Sequence, residues 1–209
     1  TVFSSIDKFG RYSFSNQPPI TKWNLARLAE CLIPLIDTNE DRAIKIATEI
    51  IDNFQNIYEK KWLNMMRDKL GLFGEDKNDL ELINNLLNWM NTNQADYTNT
   101  FCYLMNISSI KDEIYKDKNF IEWFKIWKKR ILINGGSKEN SLKLMKKNNP
   151  IVVPRNHKVE EALEAANNND LKPMNELLSI LKKPYTEQSN IGNFQVSSKN
   201  KNYQTFCGT

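Results

Sequence analysis

The chain has 209 residues, 40% of them hydrophobic, and its 29 Lys and Arg against 25 Asp and Glu leave a formal net charge of +4. That is enough apolar material for one core, so one domain with a loosely attached tail is the default expectation. The charge is mild and interleaved, which argues against a nucleic-acid partner, and no apolar run approaches the roughly 18 residues a membrane span needs.

The first predicted feature is a turn-rich segment in which Gly10, Asn16, Gln17, Pro18 and Pro19 punctuate Arg11, Tyr12 and Phe14. This is the composition of a loop held in one shape by its own side chains, and such loops border functional sites. Asp7 and Arg11 are its best polar candidates; they are expected to order the loop, an ion pair being one way to do so, rather than to perform chemistry. After Pro19, Trp23, Leu25, Leu28, Ala29, Leu32 and Ile33 recur at helical spacing and predict a buried helix with Thr21 as N-cap.

Residues 40–70 read as the longest helix, with Gly71 placed to stop it. Leu80, Ile83, Leu86, Leu87 and Met90 predict the next, capped by Asn78 or Asp79. Further helices are predicted from Tyr97 to Met105 and from Asn119 to Ile133, before a break at Gly135 and Gly136. Ser137 to Lys147 follows, ended by Pro150, because the residue before a proline is biased away from helical geometry. Val159 to Asn167 and Met174 to Leu181 form a closing pair. Strand signals are weak, the best being Ile151 to Val153. From Tyr185 the pattern dissolves into a polar tail, mobile unless something pins it.

Several local constellations read as structural. Lys125, Lys128, Lys129 and Arg130 share a helix with Trp123, Phe124 and Trp127, and the ordinary amphipathic reading points the rings inward and leaves the cations solvated, in preference to a surface for phosphate backbone. His157 is the single histidine, so no His-based catalytic pair or metal cluster forms, and it caps or packs the following helix. Glu160, Glu161 and Glu164 read as first-turn acids there. Gly135 to Lys138 lacks the spacing of a phosphate loop. Cys31 and Cys102 read as small core residues, whereas Cys207, near a flexible end, is an accessible thiol. Three cysteines form no even disulfide framework and suit a reducing compartment.

Four blocks stand in a fixed order: DKFGRYSFSNQPPITKWNLARLA from Asp7 to Ala29; Asp96, Tyr97 and Thr98 followed by Phe101; Asn149 and Pro150 followed by PRNHKVEEAL from Pro154 to Leu163; and TFCGT from Thr205 to Thr209. Together they resemble the selenoprotein O family, the YdiU-like protein adenylyltransferases built on a protein-kinase fold.

The resemblance implies a mainly α fold, the helical C-terminal lobe of a kinase-like protein, with the N-terminal lobe and the nucleotide-binding residues outside this chain. Residues 1–20 would be an activation-loop-like segment, 21–184 the helical lobe, and 185–209 a flexible tail carrying Cys207. The chain opens without an initiator Met and is expected to be the C-terminal part of a longer enzyme, inactive alone. Its catalytic Asp and its magnesium-binding Asn and Asp are expected upstream of Thr1, so no catalytic, cofactor-binding or metal residue is expected here. Asp7, Arg11, Asn16 and Gln17 would lie in the loop near the active site, and Cys207 would be a redox residue. Many bacterial relatives carry a cysteine where Phe3 stands, which puts an internal partner for Cys207 in doubt. The parent would transfer AMP from ATP to Ser, Thr or Tyr hydroxyls of protein substrates, with magnesium, after binding the nucleotide in reverse so that the α-phosphate faces the acceptor. It would act as a monomer in the bacterial-type cytoplasm, or in mitochondria if eukaryotic. The competing readings are a non-catalytic helical interaction module and a pseudokinase scaffold.

Overall fold

The structure, a computed structural model, describes residues 6–198. All regular structure among them is helical. They fall into two compact units, 6–62 and 63–198, where composition alone predicted one.

In the first unit, α1 (Gln17–Ile36) packs against α2 (Glu40–Asp52). The helix α1 starts five residues earlier than Thr21 as N-cap would have set it. Asn16 is its N-cap and Pro18 sits in its first turn, where a missing N–H costs nothing. Thr21 lies inside, its hydroxyl donating to the Gln17 carbonyl at 2.7 Å. In α2, Asn39 caps the start by accepting from the Arg42 amide, and Ala43 and Ala47 are buried.

The predicted buried helix is not buried. No residue of α1 is, Trp23 being 47% and Leu35 82% exposed. Two helices that meet along one seam cover one stripe of each, and the other apolar positions stay open within the unit.

The long helix predicted over 40–70 is two. It breaks at Asn53, whose ψ of −10° loosens the turn between α2 and α3 (Phe54–Lys69). The Asn53 side chain accepts from Asn56 Nδ2 at 3.2 Å, while its backbone still bonds to Glu49 O and accepts from the Ile57 amide, each at 3.2 Å. The boundary between the two units falls inside α3.

Gly71 ends α3 as expected, with φ at +67°. The Leu72 amide donates back to Arg67 O and the Gly71 amide to Asp68 O, the paired bonds of a Schellman cap. A Cβ on Gly71 would lie 2.7 Å from the Ser141 carbonyl, so both conformation and proximity require glycine.

The core of the second unit lies where α4 (Asp79–Asn93) packs on α6 (Lys118–Arg130). Leu82, Ile83, Leu86 and Met90 meet Phe120, Trp123 and Trp127 there, all buried. Each tryptophan N–H has a partner, Trp123 donating to Leu82 O at 2.8 Å and Trp127 to Leu70 O at 2.9 Å, so the rings bury their area without orphaning a donor. Helix α5 (Tyr97–Leu104) contributes Phe101 and Cys102. Next come α7 (Lys138–Asn148), capped by Ser137, then α8 (Asn156–Asn167) packed on α9 (Lys172–Leu181).

Ile151 and Val152 are buried but make no strand; the Ile151 amide donates to Pro184 O at 2.8 Å. Because α8 begins at Asn156, Glu160, Glu161 and Glu164 sit past its first turn, and His157 is in that turn. Among the described residues, the segment after Tyr185 is pinned: it ends in α10 (Gly192–Gln195), whose Gln195 is buried.

Candidate functional site

The loop before α1 brings Asp7, Arg11, Asn16 and Gln17 into one self-bonded structure. Asp7 accepts from two backbone amides, Arg11 N on Oδ1 at 2.9 Å and Tyr12 N on Oδ2 at 2.8 Å. A carboxylate that gathers amides in this way fixes a turn through charge-assisted bonds. Gly10, at φ +65°, allows the reversal. Its carbonyl then receives both the Ser13 amide at 3.0 Å and Asn16 Nδ2 at 2.7 Å. Gln17 closes the loop, Nε2 donating to Tyr12 O at 2.6 Å.

Asp7 therefore orders the loop, as its sequence context indicated, but through the backbone and not through an ion pair with Arg11. The Arg11 guanidinium lies over Trp23, 4.7 Å from the ring centroid, with Tyr12 5.6 Å away. Cation–π attraction ties the loop to the first turns of α1 and holds a positive charge at an exposed position with no ion-pair partner among the described residues.

The second unit contains a polar centre that the sequence reading missed. Asp79, 1% exposed, accepts from two arginines, Arg67 Nε on Oδ2 at 2.7 Å and Arg130 Nε on Oδ1 at 2.6 Å. Arg130 also donates to the carbonyls of Phe73 and Gly74, both at 3.1 Å. Burial alone would push the Asp79 carboxyl up. Hydrogen bonds from Arg130, Arg67 and the Asp76 amide outweigh it and hold the group below the usual carboxylate range.

Arg130 is thus no solvated cation. The signal was its register: it lies three residues after Trp127 and seven after Trp123, on the same buried face of α6. Asp79 looked like a cap because acids commonly open helices.

A second ion pair joins Asp96, the N-cap of α5, to Arg155, with Nη1 on Oδ2 at 2.6 Å and Nη2 on Oδ1 at 2.9 Å. Asn149 is buried and donates to Lys69 O and Met145 O at 2.8 and 2.9 Å, joining the ends of α3 and α7. Asp96, Asn149 and Arg155, from two of the sequence blocks, thus do structural work.

Of the other thiols, Cys102 is buried as expected, and burial pushes it up to about 12. Cys31, expected in the core, is exposed, its thiol 3.4 Å from the Arg27 carbonyl. Cys207 lies outside the described residues. Among the described residues, no group of three or more His, Cys, Asp or Glu is placed to hold a metal ion, and no helix is long and apolar enough to cross a membrane.

A family model described as protein adenylyltransferase SelO matches residues 2–182. The protein nucleotidyltransferase YdiU of Pelagibacter ubique (strain HTCC1062) is 57% identical over 213 residues, an alignment that takes in 100% of this chain and 44% of that protein. Proteins of the same name from Nitrosococcus oceani and Clostridium beijerinckii are 46% and 44% identical, again over 100% of this chain and 43% of theirs. The chain therefore spans less than half the length of these curated relatives. Matched over residues 2–182 by the family model and along its whole length by such relatives, it belongs to the SelO/YdiU family of protein nucleotidyltransferases.

Proposed function

We propose that this chain is the helical C-terminal lobe of a protein adenylyltransferase with a kinase-like fold, which moves AMP from ATP to Ser, Thr or Tyr hydroxyls of protein substrates. The observation that carries the reading is the adenylyltransferase family match over residues 2–182, joined to relatives more than twice as long as this chain. In the reaction, an acceptor oxygen bonds to the α-phosphorus of ATP, the bond to the β-phosphate breaks, pyrophosphate leaves, and the hydroxyl proton passes to a base.

Within that reaction the loop of residues 7–17 is a positioning element. Asp7, Asn16 and Gln17 spend their polar atoms on the loop's own backbone, so its shape is set before a partner arrives, which lowers the ordering cost of binding. Arg11, stacked on Trp23, presents a positive charge that favours an anionic group of the incoming substrate.

Magnesium serves such chemistry by neutralising phosphate charge. The described residues do not fit it, since none of them form a group of three or more carboxylates, imidazoles or thiols placed to hold an ion. In this reading the metal ligands and the catalytic Asp lie in the preceding part of the parent, and Cys207 is a redox residue of its C-terminal tail. The parent is read as a monomer of the bacterial-type cytoplasm.

The test is to supply the whole parent protein with ATP labelled on either the α- or the γ-phosphate. Label on protein from the α position alone supports adenylyl transfer; label from γ alone would make the protein a kinase and overturn the reading.

A further inference from the structure

Gln195 makes four polar contacts, as many as Asp79 accepts. Although it sits in a four-residue helix near the end of the described chain, it is 2% exposed. Its Nε2 donates to Ile151 O at 2.6 Å, and its Oε1 accepts from Ser109 Oγ at 2.6 Å. Its backbone carbonyl accepts from Asn99 Nδ2 at 3.0 Å and Arg155 Nη2 at 3.3 Å. One residue thus joins the start of α5, the loop after it, the buried stretch at Ile151, and the start of α8.

The segment leading to Gln195 has little else to hold it. From residue 186 to 196, Ile191 and Gln195 are the buried side chains. Gln188 closes the end of α9 from outside, donating to Ile180 O and Lys183 O at 3.1 and 3.2 Å.

We infer that residues 186–196 form a releasable strap, latched by Gln195, which opens as one unit while the helical core stays folded, and which in opening bares Cys102. Three features carry this. The four polar contacts converge on one residue, two on its side chain and two on its backbone carbonyl, so displacing Gln195 breaks all four together and Gln195→Ala removes the two side-chain ones. The strap buries little apolar surface, whereas α4 and α6 are joined by stacked rings and leucines; segments of that kind open at a fraction of the global unfolding free energy. The receiving site also survives opening, because Arg155 keeps both bonds to Asp96, so the strap returns to a preformed seat.

Cys102 reports the motion. It is 0% exposed, and its Sγ lies 3.8 Å from the Ile151 carbonyl that receives Gln195 Nε2. With the latch released, that carbonyl turns to water and the thiol beneath it becomes reachable.

The experiment uses the full 209-residue chain, with hydrogen exchange read by mass spectrometry and iodoacetamide alkylation of Cys31 and Cys102 followed peptide by peptide. The amides of residues 186–196 are expected to exchange together, faster than those of α4 and α6 and slower than free peptide. Gln195→Ala is expected to raise the Cys102 alkylation rate by about tenfold or more, the size that loss of a few buried hydrogen bonds gives, with exposed Cys31 unchanged as internal reference. Strap amides that exchange only with the core, or that show no protection at all, overturn the inference, as does a folded Gln195→Ala chain with unchanged Cys102 reactivity. If that variant does not fold, exchange in the unsubstituted chain decides alone.

Discussion

Arg130 and Asp79 stand 51 positions apart and meet in the interior, Nε on Oδ1 at 2.6 Å and Nη2 on Oδ2 at 3.1 Å. The pair locks the end of α6 to the start of α4 at the rim of the aromatic core. Removing one member of a buried ion pair leaves the other charge uncompensated, which costs about 3–5 kcal/mol. Arg130→Met removes two of the three arginine contacts to Asp79 and leaves Arg67 alone beside it, so it is expected to lower the stability of the second unit toward, but not to, that full cost, measured from the urea midpoint. Arg67→Met should cost less, because Arg130 continues to neutralise Asp79.

The same pair sets an acid limit. The folded-state pKa of Asp79 is lowered from 3.8, so its stabilising contribution is present above that unfolded-state value and is lost as pH falls through the folded-state one. Thermal midpoints are expected to drop below about pH 4, and Asp79→Asn, less stable at pH 7, should show a flatter decline. Equal slopes in the two chains would show that other carboxylates govern acid unfolding.

On the alkaline side the sign reverses. Cys102 rises from 9.0 and Tyr115 from 10.0, each to about 12, chiefly through burial. Stability that they favour below pH 9 is lost as pH climbs toward 12, because the unfolded chain releases these protons first. Cys102→Ala should remove the part of the decline that begins near pH 9, read from urea midpoints between pH 8 and 11.

Two glycines separate conformation from proximity. Gly71 and Gly135 both have positive φ, +67° and +79°, but an added Cβ meets Ser141 O at 2.7 Å in the first and nothing within 4 Å in the second. Gly135→Ala is expected to cost about 1–2 kcal/mol from backbone strain alone, and Gly71→Ala about 3 kcal/mol or more once Ser141 must move. Comparable losses in the two chains would contradict the close packing of α7 on the Gly71 turn.

Asp7→Ala removes the acceptor for two amides. Exchange of the Arg11 and Tyr12 amides should then accelerate about tenfold or more, each lost charge-assisted bond being worth roughly 1.5–3 kcal/mol. The unfolding midpoint of residues 63–198 should stay unchanged. In the parent enzyme, the proposed positioning role predicts slower AMP transfer with Asn recovering part of the rate, since Asn keeps one acceptor oxygen.

What the sequence made legible was periodic. Ile83, Leu86 and Met90, or Trp123 and Trp127, announce helices because burial follows their spacing. The loop was legible because Gly10 permits a left-handed reversal and the prolines fix φ whatever lies around them. Contacts distant in sequence were not. Asp79 opens a helix as a cap would, and only tertiary pairing with Arg67 and Arg130 turns it inward. Gln195 lies in a polar stretch whose composition matches that of a free tail, until its four partners are brought together by folding. The exposed apolar face of α1 and the break at Asn53 escaped for a related reason: periodicity records which residues are apolar, not which faces find a neighbour or where one Asn diverts the backbone.

The central claim is that this lobe belongs to an enzyme that transfers AMP to protein hydroxyls. The most direct measurement is to express the coding sequence that contains this chain in full and incubate the product with magnesium and α-labelled ATP. Covalent label should then be sought on protein by gel and by the mass of AMP on peptides. The account predicts AMP on Ser, Thr or Tyr, abolished when the Asp expected upstream of Thr1 is replaced by Ala, and none with the 209-residue chain alone. Absence of label from the complete protein, or label that survives that replacement, would contradict it.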